Sequence, residues 1–357
     1  MTALNIDDIL LEIEQQRAVL LLGHNFLPQT HEALHRHLTL KLGDKLRHFY
    51  SRDGLFLFAD NDAKITAQIQ AAEFYKNLQA DEALLRKIVE MPFPLIVSAN
   101  PDKLLVDAFA TYRLRLQYDY FSSSDKFQTY PIERPSQDKP LLYNLCGSIE
   151  DQESLILDYD DLFKMFKKIL GDQVIPDNEV RAPLKRATTF IFVGFHFERW
   201  YTQLFLRYLN QHEDQFKSNS RNYVLKTTFS DTDFQTFFMQ QFNVKFIGAD
   251  WAFFEELHQR FKEKYPQKMR QLVDTLSPTA TTIIQLVEKH DLVKAIAMLK
   301  MFSSDFDGDD QNALSMTEGM FSQYNLDKAE GIVVTEHLNS QIARIRKNII
   351  ELSKKIV

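Results

Sequence analysis

Ala18-Val19-Leu20-Leu21-Leu22-Gly23 is the stretch of sequence that decides the fold. The run is short and wholly apolar, and it ends at a glycine. This pattern is typical of a strand that is buried on both faces, as in a parallel sheet. A helical pattern over 5–17 precedes the run, and another over 30–50 follows it.

Comparable apolar runs recur along the chain, and helical patterns alternate with them. The further predicted strands cover 94–98, 141–145, 189–193, 223–227 and 243–247, and 55–58 is a short strand or a helix turn. The intervening helices include 62–91, with Ile65 and Ile69 on its apolar side, and 158–170. This alternation predicts a Rossmann-like α/β fold, with a mostly parallel sheet and helices on both faces.

After Pro266 the pattern changes to helices alone, over 275–302 and 311–356. The expected organisation is therefore a Rossmann-type domain over 1–266, a linker over 267–274 and a small all-α domain over 275–357. An acidic run at 305–310 separates the two helical regions. It does not fit a calcium loop, because its glycine stands at position four rather than six.

The composition excludes several classes of protein. Only 10 of the 357 residues are glycine, against a usual share of about 7%, and no Gly-rich phosphate loop is present. The single cysteine rules out a disulfide framework and a Cys-rich zinc module. A net charge of −7 argues against a general nucleic-acid binder. Without a long apolar run or a signal peptide, we expect a cytoplasmic protein with no membrane span.

Polar residues follow the predicted strands where a parallel sheet binds its ligands. Asn100 and Asp102 come directly after the strand at 94–98, where they can hold a ribose or position a water. The alternative is that Asp102 caps the next helix. Cys146 ends the strand at 141–145 and is either a nucleophile or a small buried apolar residue.

His31-Glu32-Ala33-Leu34-His35 matches the H-E-x-x-H pattern, which places two histidines on one face of a helix for zinc. A zinc peptidase is thus a remote alternative. The simpler interpretation is a surface helix that happens to contain histidines, because nothing marks a third ligand.

The strand ends, taken together and in order, resemble the sirtuin-like domain of bacterial antiphage NAD hydrolases. The resemblance covers about 10–262. It rests on Leu20-Leu21-Leu22-Gly23-His24-Asn25-Phe26, Ile96-Val97-Ser98-Ala99-Asn100-Pro101-Asp102, Leu145-Cys146-Gly147-Ser148-Ile149, Ile191-Phe192-Val193-Gly194-Phe195 and Asn243–Gly248.

This resemblance implies that the protein binds NAD as substrate or ligand. Since neither the zinc pattern nor the acidic run makes a complete site, we expect no bound metal. It implies catalytic roles for Asn100 and Asp102, with Cys146 at the position of the family's histidine. The cofactor-binding residues that it implies are Gly23, His24, Asn25, Gly147, Ser148, Gly194, Phe195 and Gly248. Two departures stand out: a thiol replaces the imidazole, and the larger His24 and Asn25 crowd the first loop. Another histidine, His24 or His196, could then supply the imidazole.

The segment from Met316 to Ile356 resembles a bacterial effector-associated domain, with a turn near Gly331. That family implies recruitment of a sensor or regulator protein. The sequence thus predicts an effector of an antiphage system, an oligomer that is an NAD glycohydrolase if its site is competent. The alternative is a catalytically degenerate sirtuin-like scaffold that acts by oligomerisation and partner binding.

Overall fold

The computed structural model describes residues 6–27, 29–123, 132–170, 183–211, 221–225, 232–247, 250–272, 278–303, 306, 308–330 and 335–353. The chain divides into two compact units, Met1–Leu272 and Val273–Val357. The domain boundaries at 266 and 275 stay predictions. Arg270, within the predicted linker, donates from Nε to the Gln137 carbonyl at 2.7 Å and from Nη2 to the Phe93 carbonyl at 2.6 Å.

A seven-stranded sheet lies at the centre of the described part of the first unit, and all of its strand pairs are parallel. In spatial order its strands are β5 (Gln117–Tyr120), β6 (Leu141–Asn144), β4 (Leu95–Ser98), β1 (Ala18–Leu22), β7 (Thr189–Val193), β8 (Arg221–Leu225) and β9 (Val244–Ile247). The predicted fold class is confirmed. β1 lies between β4 and β7, so the strand order runs outward from it in both directions, which makes the end of β1 the expected ligand-binding edge.

β1 is buried on both faces, as its apolar run predicts. Val19 and Leu21 join one core, and Leu20 and Leu22 join the other. The first core is covered by α6 (Tyr159–Leu170), α7 (Trp200–Gln211) and α8 (Thr232–Gln241). The second is covered by α1 (Ile6–Glu14), α4 (Glu82–Glu90), α5 (Leu104–Thr111) and α9 (Asp250–Lys264).

A small module lies between β1 and β4 in the sequence. It consists of α2 (Thr30–Leu42), a two-stranded antiparallel hairpin of β2 (Leu46–Tyr50) and β3 (Leu55–Phe58), and α3 (Asn61–Lys76). Its core brings Leu34 and Leu38 of α2 together with Phe56 of the hairpin and Ala67 and Ala71 of α3. The turn of this hairpin carries residues that become part of the candidate site.

All regular elements in the described residues of the second unit are helices. It contains α10 (Pro278–Glu288), α11 (Leu292–Met301), α12 (Gly308–Glu330) and α13 (Thr335–Ser353). Its core includes Ile283, Leu299, Leu314, Ile345 and Ile349. The predicted turn near Gly331 lies outside the described residues. No helix in the described part of the chain combines the length and the apolar character needed to cross a membrane.

Several predicted elements are wrong in detail. The helix predicted over 30–50 ends at Leu42, and Leu46–Tyr50 forms β2 because it pairs with β3. By contrast, the helical regions predicted over 62–91, 275–302 and 311–356 are confirmed, and each contains two helices. Ile65 and Ile69 of α3 are about half exposed, because α3 packs through alanines instead. The polar edge strand β5 and helix α8 were not predicted, since neither shows a clear apolar period.

Candidate functional site

A cleft opens at the carboxyl ends of β1, β4, β6 and β7. It holds a cavity of about 60 Å³, which is room for a few water molecules. The polar residues of its lining are His24, His31, Asp53, Cys146, His196, Arg199, Tyr201 and Thr202. Its apolar wall includes Leu162, Met165 and Phe166 of α6, with Phe195 and Phe205. The cleft therefore has a polar side toward the sheet edge and an apolar side toward α6.

Gly23 and Gly194 bring the ends of β1 and β7 into close contact. The Gly23 amide donates to the Val193 carbonyl at 2.8 Å, and the Asn25 amide donates to the Gly194 carbonyl at 3.0 Å. A Cβ at Gly23 would overlap the Gly194 carbonyl, and Gly194, at φ +72°, has no room for one beside Phe26. These two glycines thus permit the approach of two backbones, and their predicted contact with NAD stays a prediction.

Asn100 contacts His24, a residue of the cleft lining, although Asn100 itself is not part of that lining. Nδ1 of His24 lies 3.4 Å from the side-chain Oδ1 of Asn100. The backbone N–H of Asn100 donates to Oγ of Ser98 at 3.1 Å. Asn100 is buried, and its Nδ2 has no hydrogen-bond partner among the described residues. A buried donor of this kind is available to a ligand, since leaving it unpaired costs free energy.

His31 also belongs to this cleft, which its H-E-x-x-H context did not predict. Its ring lies edge to face with that of His24, with 4.5 Å between the centroids. Nδ1 lies 3.2 Å from the Gly54 carbonyl oxygen. His35, one turn further along α2, stacks on Phe49 instead. No group of three potential metal ligands is found among the described residues, so the zinc alternative gains no support.

Arg199 holds the hairpin turn against the cleft. It is buried, and it donates from Nε to the Arg52 carbonyl at 3.0 Å and from Nη1 to the Tyr201 hydroxyl at 2.7 Å. The Tyr201 hydroxyl in turn donates to the Asp53 carbonyl at 2.8 Å. The turn is therefore a wall of the site, tied to residues that follow β7.

His24 and His31 are neutral because they are buried near positive charge. Burial, the largest cause, lowers the pKa of His24 well below its usual value, and His31 and Arg199 add to the effect. Burial, together with Arg199 and His196, lowers the pKa of His31 to about 3. Uncharged imidazoles can accept hydrogen bonds from a ligand across the physiological range.

Cys146 lines the cleft, but its thiol is chemically quiet. Burial raises its pKa to about 12, against a smaller opposing effect of Arg199. Since the thiolate is the reactive form, this environment disfavours a nucleophile or a base at neutral pH. The next two residues form a supported turn: Gly147 has φ +88°, and the buried Ser148 accepts a hydrogen bond from the Tyr118 hydroxyl at 2.9 Å.

Asp102 faces helix α5. Its Oδ1 accepts a hydrogen bond from the Leu104 amide at 3.0 Å, which is the helix-start role that its sequence position offered as an alternative. Burial raises its pKa to about 6. A catalytic role for Asp102 stays a prediction. Phe195 and His196 line the cleft, whereas Gly248 lies outside the described residues.

Comparison with known protein families finds two domain matches in this chain. Residues 94–247, which include Asn100, Cys146 and Gly194, match the SIR2-like domain. Residues 278–357 match effector-associated domain 11. The chain thus carries a SIR2-like domain followed by an effector-associated domain, as the resemblance of its motifs predicted.

A search of solved structures also returned a chain described as "Structural Basis for the Mechanism and Regulation of Sir2 Enzymes". The match has 11% sequence identity and a TM-score of 0.37, and it covers 72% of this chain and 97% of that one. No match to a curated protein was found.

Sequence reasoning missed His31, Arg199 and Tyr201 as cleft residues. His31 lies on α2, far along the chain from Arg199 and Tyr201, which follow β7. The strand-end rule pointed to residues directly after each strand and therefore found His24, Phe195 and His196. The H-E-x-x-H match did draw attention to His31, but for metal chemistry.

Proposed function

We propose that this protein is a sirtuin-like effector of a bacterial antiphage system whose cleft binds NAD and hydrolyses it to nicotinamide and ADP-ribose. The observation that carries the proposal is the meeting of Asn100, which has a buried unpaired donor, with the neutral His24 at the carboxyl end of β1. The match to the SIR2-like domain supports it.

The chemistry asks little of the side chains. The nicotinamide ring of NAD carries a positive charge while it is bonded to the ribose, so it leaves as a neutral molecule without an acid. The protein must hold the ribose, keep bulk water out and place one water molecule near the cationic sugar carbon. Asn100, His24 and His31 offer uncharged hydrogen-bonding groups for the ribose and the water, and the apolar wall of α6 excludes solvent.

Nicotinamide release from NAD by the purified protein tests this proposal. We expect release by the wild type, alone or with its activating partner, and a loss of at least about 100-fold in Asn100→Ala. Asn77→Ala is the control, because Asn77 is an exposed residue at the end of α3 whose side chain donates only to the Glu73 carbonyl. No release by the wild type under either condition would contradict the proposal.

The helical second unit, in this proposal, recruits a sensor or regulator that carries a domain of the same kind. The match to effector-associated domain 11 supports it. Large apolar side chains are exposed on this unit, among them Val293, Met301, Met316 and Leu326. Replacing each by Asp should weaken co-purification with the partner at some positions and leave the sheet domain folded. A homo-oligomer, also part of the proposal, is checked by light scattering.

A degenerate scaffold is the second candidate, and the state of Cys146 favours it. A thiol with its pKa raised to about 12 cannot replace an imidazole as a base at neutral pH. Saturable NAD binding without any nicotinamide release, in the presence of the partner, would support the scaffold. A faster reaction in Cys146→His than in the wild type would indicate a weakened hydrolase.

A further inference from the structure

The orientation of His31 follows from one contact. His31 is the second residue of α2, and it lines the cleft with little exposure to solvent. Its Nδ1 lies 3.2 Å from the carbonyl oxygen of Gly54. Because a carbonyl oxygen can only accept, Nδ1 must carry the hydrogen and donate. The lone pair of the neutral ring is therefore on Nε2.

Nε2 of His31 is buried and has no hydrogen-bond partner among the described residues. A buried acceptor without a partner is unfavourable unless a ligand or a water supplies the donor. The hairpin turn keeps the ring in place from behind, since a Cβ on Gly54 would overlap the imidazole. Nε2 is thus a fixed, unsatisfied acceptor on a residue that lines the cleft.

The groups around His31 keep it in this accepting form. His24 lies edge to face with it, and the Arg199 guanidinium adds positive charge nearby. Positive neighbours and burial both disfavour a second proton on the ring. Cys146, by contrast, has neither a lone pair of comparable basicity nor a thiolate at neutral pH.

We propose that His31, rather than Cys146, is the proton acceptor of this site and takes the proton of the attacking water through Nε2. The inference rests on the proposed function. The bond between the ribose C1′ and the nicotinamide nitrogen breaks, and its electron pair neutralises the cationic ring. The water oxygen bonds to C1′, and its proton passes to Nε2 and then to solvent.

A weak base is sufficient for this step. A sugar cation is strongly electrophilic, so the water must be oriented before it attacks. Its proton leaves only after the bond to C1′ has largely formed. The neutral imidazole of His31 accepts a hydrogen bond from the water throughout, which favours the attacking geometry. Proton acceptance of this kind is modest in effect compared with a base whose pKa matches the working pH.

Two variants on one helix test the assignment by activity. His31→Asn keeps an N–H near the position of Nδ1 for the Gly54 carbonyl but has no basic nitrogen at Nε2. We expect it to lower the rate of nicotinamide release by about tenfold or more and to change the dissociation constant of NAD by less than about threefold. His35→Asn is the matched control, because His35 stacks on Phe49 outside the cleft lining. Release by His31→Asn at the wild-type rate would overturn the inference.

A spectroscopic experiment tests this inference separately from the proposed function. In protein labelled with ¹⁵N-histidine, long-range ¹H–¹⁵N spectra report which ring nitrogen of His31 carries the proton. We expect protonated Nδ1 and bare Nε2, and a shift of the Nε2 signal when ADP-ribose is added. A protonated Nε2, or no response to ADP-ribose, would overturn the inference. If the wild type releases no nicotinamide, the proposed function fails and the proton transfer to His31 fails with it, while the ADP-ribose response still shows whether Nε2 of His31 accepts a hydrogen bond from a ligand.

Discussion

The imidazole rings of His24 and His31 meet edge to face, with 4.5 Å between their centroids. His24 follows strand β1, whereas His31 lies in the first turn of helix α2. Burial lowers the pKa of both rings, and Arg199 and His196 add to the effect. The protein therefore holds two neutral histidines in one cleft. This arrangement makes its stability depend on pH.

We predict that the first unit loses stability as the pH falls from about 6.5 toward 5. Unfolded histidine takes up a proton near pH 6.5, whereas the folded pair stays neutral, so acid favours the unfolded chain. Asp102 acts in the opposite direction below pH 6, because its raised pKa of about 6 makes the folded chain take up a proton first. Two histidines outweigh one aspartate, which leaves a net slope of up to about 1.4 kcal/mol per pH unit.

Urea unfolding between pH 5 and 7.5 measures this slope. His31→Gln removes one of the two groups and should reduce the slope, while His48→Gln, on an exposed position of β2, should not. Both tryptophans, Trp200 and Trp251, belong to the first unit, so their fluorescence reports its unfolding alone. Equal slopes in the wild type and His31→Gln would contradict a neutral buried His31.

Alkylation of the single cysteine should be slow in the folded protein. The raised pKa of Cys146, about 12, leaves only about one thiolate in 10⁵ at pH 7, and the thiolate is the form that reacts. We expect iodoacetamide to modify the native chain at least about 100-fold more slowly than the urea-unfolded chain. The native rate should rise about tenfold for each pH unit over pH 7–9. A native rate similar to the unfolded one would show a reactive thiol instead.

Gly54→Ala should damage the cleft, and Gly43→Ala should not. Both glycines have positive φ, which is +73° at Gly54 and +53° at Gly43. Alanine is therefore strained at each position, by about 1–2 kcal/mol. At Gly54 the new Cβ also overlaps the His31 ring, whereas at Gly43 nothing lies within 4 Å. We expect Gly54→Ala to be less stable than Gly43→Ala by about 1–3 kcal/mol and to lose the ADP-ribose response of His31. Similar behaviour of the two variants would mean that the turn does not hold the ring.

Gly23→Ala should destabilise the first compact unit, and Gly319→Ala should stabilise the second. At Gly23 the backbone is extended, so the cost is steric: a Cβ meets the rigid Gly194 backbone, and we expect a loss of about 3 kcal/mol. Gly319 lies within α12 with open space around it, and alanine there should stabilise the helix by about 0.5–1 kcal/mol.

Two signals distinguish these effects. The urea midpoint of unfolding followed by tryptophan fluorescence should fall for Gly23→Ala and stay unchanged for Gly319→Ala. Far-UV circular dichroism also reports the helical second unit, and the unfolding midpoint of that unit should move to a higher urea concentration for Gly319→Ala. A Gly23→Ala protein as stable as the wild type would show that the ends of β1 and β7 can separate freely.

The parallel sheet was predictable because burial on both faces leaves a direct record in the sequence. β1, β4, β6 and β7 are short apolar runs bounded by turn residues, and each was predicted within one or two residues. β2 and β5 were not, since Leu46–Tyr50 and Gln117–Tyr120 are partly exposed and mix polar with aromatic residues. Strands of that kind depend on their pairing partners more than on their own composition.

The sequence by itself determined the order of elements, the class of fold and the strand ends that border the cleft, because each depends on residues that are neighbours along the chain. Only the tertiary structure decided which side chains meet there. His31 reaches His24 because α2 starts beside the end of β1, and Arg199 reaches the hairpin turn because β7 lies next to β1. Such contacts depend on the strand order and on the direction of each side chain, and no local period in the sequence records them.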